Sequence, residues 1–263
     1  MGYRDAVNTG LERATGYKLV RADQLAALRA RKEKAKAPAT LPRHFDEAAK
    51  RITRAAKPRT MTGYDKLFAL VEAARYVVDQ ELPGAFVECG VWRGGSMQAV
   101  ALALLDRGVT DRELHLFDTF EGMTEPTDED VSVDGTPAAT RLATEPRTAW
   151  VWAVATLDDV RGGMAETGYP AERIHYHVGP VEQTVPDEAP DEIALLRLDT
   201  DWYESTRHEL EHLYSRVPRG GVVILDDYGT WQGARQAVDE FLEQRREPLL
   251  LVPMASGRIA VKP

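Results

Sequence analysis

Two apolar runs in this chain end in acid. Gly221-Val222-Val223-Ile224-Leu225 stops at Asp226-Asp227, and Ile193-Ala194-Leu195-Leu196-Arg197-Leu198 stops at Asp199-Thr200-Asp201. A short run that is apolar at nearly every position reads as a strand covered on both faces, the habit of a parallel sheet flanked by helices. In open α/β sheets, ligands bind beyond the carboxyl ends of the strands. Two such strands side by side would gather four aspartates at that edge. An all-oxygen ligand set selects a hard divalent ion, Mg²⁺ first, with Mn²⁺ or Ca²⁺ behind it. Asp199, Asp226 and Asp227 are therefore the expected metal ligands. Asp201, two residues past Asp199 and on the same side of a continuing strand, is the expected general base, with Asp199 beside it in the catalytic centre. The competing reading for any one of these acids is a helix N-cap or an exposed turn.

The remainder of the chain fits a sheet of this kind. Strands are expected at 85–91, 113–119, 173–179, 192–200, 221–227, 249–254 and 258–262. Helical spacing lies between them: Leu67, Leu70, Val71, Ala74 and Val77; Met97, Val100, Ala101 and Leu104; Leu210, Leu213, Tyr214 and Val217; Ala234, Val238 and Phe241. Alternating strands and helices predict an α/β fold, a mostly parallel seven-stranded sheet with helices on both faces. The last two strands are separated only by Ala255-Ser256-Gly257, which predicts a hairpin and one antiparallel member. Residues 1–60 differ in composition, being rich in Ala, Arg and Lys, and read as a helical cap and oligomerisation region before one domain at 61–263. Their basic run, Arg29 to Lys36, reads as a solvated helix face, with a phosphate-binding arm as the alternative. The stretch Glu121 to Trp150 lacks clear periodicity, follows the second strand on the ligand edge, and is expected to be a mobile lid.

Composition narrows the classes. With 43% hydrophobic and 29% charged residues, the 263-residue chain can build a sizeable core. A net charge of −9 argues against nucleic acid or an anionic membrane as partner. No apolar stretch approaches the ~18 residues of a membrane span, and no signal pattern opens the chain, so a cytoplasmic protein is expected. The lone cysteine, Cys89, excludes an intrachain disulfide and a cysteine-rich metal site, and reads as a small core residue.

Two further positions carry chemistry. Glu88-Cys89-Gly90-Val91-Trp92-Arg93-Gly94-Gly95-Ser96 forms the first strand-to-helix turn, where glycines let a ligand approach the backbone. Its spacing is not G-x-G-x-x-G. Glu88 would serve a cationic ligand, such as an amino acid or a sulfonium, better than a pyrophosphate. Asp118 ends the next strand, where an acid commonly accepts hydrogen bonds from ribose hydroxyls; a helix N-cap is the plainer reading. His208-Glu209-Leu210-Glu211-His212 matches the zinc-protease pattern H-E-x-x-H, but Leu210, Leu213, Tyr214 and Val217 share a helix face that leaves both histidines pointing to solvent, so the match is set aside.

These segments resemble a known family. Arg59-Thr60-Met61-Thr62, the Phe86 to Ser96 turn, Phe117-Asp118-Thr119-Phe120-Glu121-Gly122-Met123, Leu196 to Thr206 and Gly220 to Tyr228 are together similar to the macrocin/mycinamicin O-methyltransferases, from about Thr60 to the C-terminus. The resemblance implies a Rossmann-like class I fold and a metal-dependent enzyme moving a methyl group from S-adenosylmethionine to a sugar hydroxyl in natural-product biosynthesis. It also implies that Glu88, Gly90, Gly94 and Ser96 hold the methionine part of the cofactor and Asp118 the ribose. Thr60, Met61, Phe120 and Gly122 would complete that pocket. Asp199, Asp226 and Asp227 match the family's metal ligands, and Asp201 its general base. The partner expected is a small-molecule sugar or glycosylated substrate, with neither nucleic acid nor membrane, for a homo-oligomer. Whether the sugar is nucleotide-linked or already on an aglycone is left open, the basic run leaning toward a diphosphate. A catechol or phenol methyltransferase, sharing cofactor and metal, and a nicotinamide-dependent oxidoreductase, sharing the sheet, are the competing readings.

Overall fold

The structure, a computed structural model, describes residues 41–245 and 248–263. The basic run Arg29 to Lys36, and the expected cap and oligomerisation surface up to residue 40, lie outside the described residues. Residues 43–263 form one compact unit.

Helix α1 (Glu47–Ala56) opens on an N-cap, Asp46, whose Oδ1 accepts the Ala49 amide at 2.6 Å. It packs on α2 (Tyr64–Asp79) and α3 (Gly95–Asp106), so the chain from Arg43 to Thr60 is integral to the unit that carries the sheet. The strands are β1 (Ala85–Cys89), β2 (Leu114–Asp118), β3 (Ile174–Val178), β4 (Ile193–Leu198), β5 (Val222–Leu225), β6 (Val252–Met254) and β7 (Gly257–Val261). The remaining helices are α4 (Ala138–Thr144), α5 (Leu157–Ala165), α6 (Val181–Thr184), α7 (Tyr203–Leu213) and α8 (Gln232–Arg245). All seven strands join one sheet in the order β3-β2-β1-β4-β5-β7-β6. The first five run parallel, and β7 is antiparallel to both β5 and β6, as the hairpin spacing predicts.

Every residue of β1, β4 and β5 is buried. On one face Val87, Cys89, Leu196, Leu198, Val223 and Leu225 pack with Leu210, Leu213, Tyr214, Val238 and Phe241 of the α7–α8 layer. Alternate residues turn to the other side, where α2 packs on β4. The order of the strands reverses between β1 and β4, which are hydrogen-bonded parallel neighbours, so the switch-point crevice opens beside the acidic strand ends. Gly90 has φ +83° there, and a Cβ on it would lie 2.1 Å from the Asp199 carbonyl oxygen, so only glycine lets β1 and β4 leave the sheet this close together.

The segment after β2 is more ordered than its lack of periodicity suggests. It holds α4, and isolated bridges pair Val131 with Pro137 and Ser132 with Trp231. Asp130, wholly buried, accepts the Tyr203 amide at 2.7 Å and the Thr127 amide at 2.8 Å. Periodicity does not show this segment because scattered apolar contacts at Ala138 and Val151 and buried polar pairing at Asp130, not a regular stripe, hold it. Among the described residues no helix is long and apolar enough to cross a membrane.

On the β2–β3 edge His115 stacks between His175 and His177, with Nδ1 3.0 Å from His177 Nε2. Burial, and then its two histidine neighbours, depress the His115 pKa to about 4 from 6.5. Glu113 and Glu188 sit against His175 and His177 from outside. A histidine that charges more readily when unfolded takes stability away as pH falls, so the loss runs from 6.5 down to about 4. Denaturation midpoints at about pH 7 and pH 5 are expected to differ in the wild type, and the difference is expected to shrink in His115→Gln.

Candidate active site

A cavity of ≈ 420 Å³ opens where β1, β2, β4 and β5 end, a size suited to a small ligand. Of the expected site residues, Met61, Gly90, Asp118, Gly122, Asp199, Asp201, Asp226 and Asp227 line it. Thr60, Glu88, Gly94, Ser96 and Phe120 do not stand on its wall. Thr60 accepts the Thr62 amide through Oγ1 at 3.0 Å, and the Ser96 hydroxyl lies 3.5 Å from that of Thr62. Gly94, left-handed at φ 80°, is the N-cap of α3, and Phe120 is buried with its amide on Asp118.

Glu88 departs most from expectation. Rather than facing a ligand's positive charge, it is fully buried and its Oε1 accepts a hydrogen bond from Arg197 Nη1. Burial pushes its pKa up to about 7 against the pull of Arg197. Its Oε2 has no hydrogen-bond partner. Arg197 is the charged residue inside the otherwise apolar run of β4, and it is the hub of the edge. Nη1 also lies 2.7 Å from Asp199 Oδ2, while Nη2 donates to Asp226 Oδ1 at 2.7 Å and to Thr62 Oγ1 at 3.1 Å. Neither Arg197 nor Lys66 was among the residues picked from sequence. An arginine inside a buried strand is itself a readable sign of ion pairing, whereas Lys66 on an ordinary amphipathic helix gives no such sign.

Strand pairing assembles the acids. Leu198 pairs with Leu225, and the Asp226 amide donates to the Leu198 carbonyl at 2.9 Å, so Asp199 and Asp226 leave the sheet side by side. Asp199, Asp226 and Asp227 each offer a carboxylate oxygen, and the three atoms lie within 4.8 Å of one another. No other group of three or more histidine, cysteine or acidic side chains among the described residues comes together in this way. Burial, then Asp201 and Asp226, push the Asp227 pKa well up. Asp226 alone is held below its ordinary value, because Arg197 and Lys66 outweigh its burial. Asp201 adopts φ 69° and donates its amide to Asp227 Oδ2 at 3.2 Å. Burial and the Asp199 charge push its pKa up to about 7. Five carboxylates, counting Glu88, thus share two cations, and the donor set is all oxygen; these residues fit a hard divalent cation.

Asp118 ties two turns together. Its Oδ2 accepts the Val91 and Trp92 amides at 2.7 and 2.9 Å, and its Oδ1 accepts the Phe120 amide at 2.7 Å. The first two amides of the turn after Gly90 are thus taken by this acid. The Thr119 hydroxyl also lies 3.5 Å from Oδ1, and the carboxylate so held stands on the cavity wall. Burial raises its pKa. The cavity mouth is apolar: Met61 and Trp150 are 46% and 54% exposed.

His208 and His212 depart from the helical-wheel expectation, since both are half-buried. A His208 ring nitrogen, Nε2, bonds the Val185 carbonyl at 2.8 Å, and the two rings are 4.4 Å apart. The helix lies beneath the turn after α6, which covers that face. Glu209, between them in sequence, is fully buried, and burial raises its pKa well above the ordinary range.

The chain matches the sequence profile of the macrocin-O-methyltransferase (TylF) family over residues 7–254. It is 34% identical over 186 residues to demethyldecarbamoylnovobiocin O-methyltransferase of Streptomyces niveus, covering 71% of this chain and 68% of that one. It is 35% identical over 182 residues to 8-demethyl-8-(2,3-dimethoxy-alpha-L-rhamnosyl)-tetracenomycin-C 4'-O-methyltransferase of Streptomyces olivaceus, covering 69% and 67%. The solved O-methyltransferase NovP superposes with a TM-score of 0.67 at 31% identity, covering 78% of this chain and 82% of that one.

Removing the shared cation tests the hub. Arg197→Met leaves Glu88 and Asp199 without a cation and Asp226 with Lys66 alone, and a loss on the order of 3–5 kcal/mol is expected in urea denaturation. Adding Glu88→Gln to that variant is expected to restore part of the loss.

Proposed function

Because the chain belongs to the macrocin-O-methyltransferase family, we propose that it moves a methyl group from S-adenosylmethionine to a sugar hydroxyl of a natural product, assisted by Mg²⁺. The observation that carries the reading is the convergence of Asp199, Asp226 and Asp227 within 4.8 Å on a cavity shared with Asp118, Gly90 and Asp201. The relatives support a sugar acceptor: the name of the Streptomyces olivaceus enzyme specifies a rhamnosyl group.

In this reading S-adenosylmethionine supplies the methyl group, and Asp118, on the cavity wall, accepts a ribose hydroxyl in place of its long contact with the Thr119 hydroxyl. Gly90 lines the part of the cavity that would take the cofactor's methionine part. Asp199, Asp226 and Asp227 would hold the divalent ion, which when bound lowers the pKa of a coordinated hydroxyl and fixes its position. An Asp201 carboxylate oxygen takes the proton from the acceptor hydroxyl as its oxygen bonds to the methyl carbon, and the C–S bond breaks to leave a neutral thioether. Met61 and Trp150 present apolar surface at the mouth that excludes water from the reacting groups and suits the non-polar part of a glycoside.

Calorimetry with S-adenosylmethionine and NAD⁺ in parallel tests the cofactor: heat is expected from the first alone, and binding of NAD⁺ instead would overturn the reading. Asp201→Asn is expected to keep cofactor affinity while losing roughly 10²- to 10⁴-fold in turnover, the range for a general base. A sugar with two adjacent hydroxyls could offer both oxygens to such an ion, so an acceptor lacking the neighbouring hydroxyl is expected to turn over more slowly than the diol.

A further inference from the structure

Lys66 sits in the first turn of α2, directly after the Met61 to Gly63 stretch of the cavity wall. Only 8% exposed, its ammonium donates to Asp226 Oδ2 at 2.6 Å and to the Asp226 backbone oxygen at 2.9 Å. The other oxygen, Oδ1, is held by Arg197 at 2.7 Å. Both oxygens of one expected ligand are thus already engaged by cations of the chain itself. The two cations differ in kind. Arg197 is nearly wholly buried, is shared with Glu88 and Asp199, and is built into β4. Lys66 lines the cavity, ends on a flexible four-carbon stem, and serves Asp226 alone.

We infer that Lys66 is a built-in placeholder for the divalent ion: it neutralises Asp226 while the site is empty and yields Oδ2 when the ion arrives, which keeps ion affinity low. The inference rests on the metal-assisted reading above. The reasoning is electrostatic. Buried carboxylates this close repel one another unless a cation lies among them, so a metal-free site needs an internal one to stay assembled. The same charge then opposes the incoming dication, both by holding an oxygen it needs and by like-charge repulsion across a low-dielectric pocket. A residue in this role stabilises the empty protein and weakens metal binding at once, whereas a merely structural lysine would do only the first.

Mn²⁺ titration followed by electron paramagnetic resonance, beside thermal melts with and without the ion, separates the two. Lys66→Met is expected to bind Mn²⁺ about tenfold more tightly, a difference of ~1.4 kcal/mol. It is also expected to melt lower than wild type without the ion and to gain more from adding it. Lys66→Arg, which keeps the charge, is expected to bind Mn²⁺ as the wild type does. If Lys66→Met fails to fold, Lys66→Gln replaces it with the same expectation. Unchanged or weaker Mn²⁺ binding in the neutral variant overturns the inference while leaving the metal reading intact. Absence in the wild type of any Mn²⁺ binding that Asp227→Asn removes overturns both.

Discussion

The carboxyl edge of this sheet depends on one guanidinium. Glu88 stands near the end of β1, Asp199 follows β4 and Asp226 follows β5, and Arg197 touches all three from a position with 2% of its side chain exposed. Without it, three acids would be drawn out of water into a region where each alone would have to take up a proton. Arginine suits the task because its planar fork presents several donors at once and remains charged wherever it is buried. The same contacts fix strand order. An arginine at this position of β4 can reach Glu88 and Asp226 together only if β4 lies between β1 and β5, as it does. Ion pairing and topology are therefore one constraint, and the crevice at the switch point is the space left above it.

Above that layer the backbone is bent in an uncommon way. Trp92 after β1, Phe120 after β2 and Asp201 after β4 have φ of 47°, 54° and 69°, left-handed values in residues other than glycine. Each such residue costs on the order of 1–3 kcal/mol and persists only where its surroundings over-determine it. Here they do: Asp118 grips the Trp92 and Phe120 amides and Asp227 grips that of Asp201. The acids at the edge thus hold the turns as well as face the cavity. That double duty explains why Asp118, read from sequence as a ribose acceptor, also serves as a clasp between two turns.

The sheet was legible because burial on both faces writes strands as apolar runs; all seven observed strands fall within a residue of the expected spans, and the hairpin followed from a short polar spacer. The acidic trio was legible for the same reason, since where a parallel strand stops, its next side chains meet at one edge. Glu88 was misplaced because sequence gives its strand but not its partner, and the partner stands 109 positions away on β4. Lys66 reaches Asp226 across 160 positions, a distance no local pattern spans. The histidines of α7 were misjudged because a helical wheel knows the sheet-facing stripe but not the neighbouring turn that covers the opposite flank.

The packing behind the cavity wall at Met123, Thr124 and Val151 follows from the same acids. Trp202 comes directly after Asp201, and Trp231 lies four residues past Asp227; their rings meet edge to face at 4.9 Å. Around them cluster Ala138, Val151 and Ala234, with Met123 and Trp152 packed outside. The Trp202 indole donates to the Thr124 carbonyl at 3.2 Å, and buried Asp130 holds the amide of Tyr203. The segment from 121 to 153 is therefore fastened to residues that immediately follow the expected base and metal ligands. A wall anchored this way cannot shift without pulling on Asp201 or Asp227. Variation in the acceptor is then easier to accommodate at the exposed rim, at Met61 and Trp150, than in the wall behind it, which divides the cavity into a fixed chemical floor and an adaptable mouth.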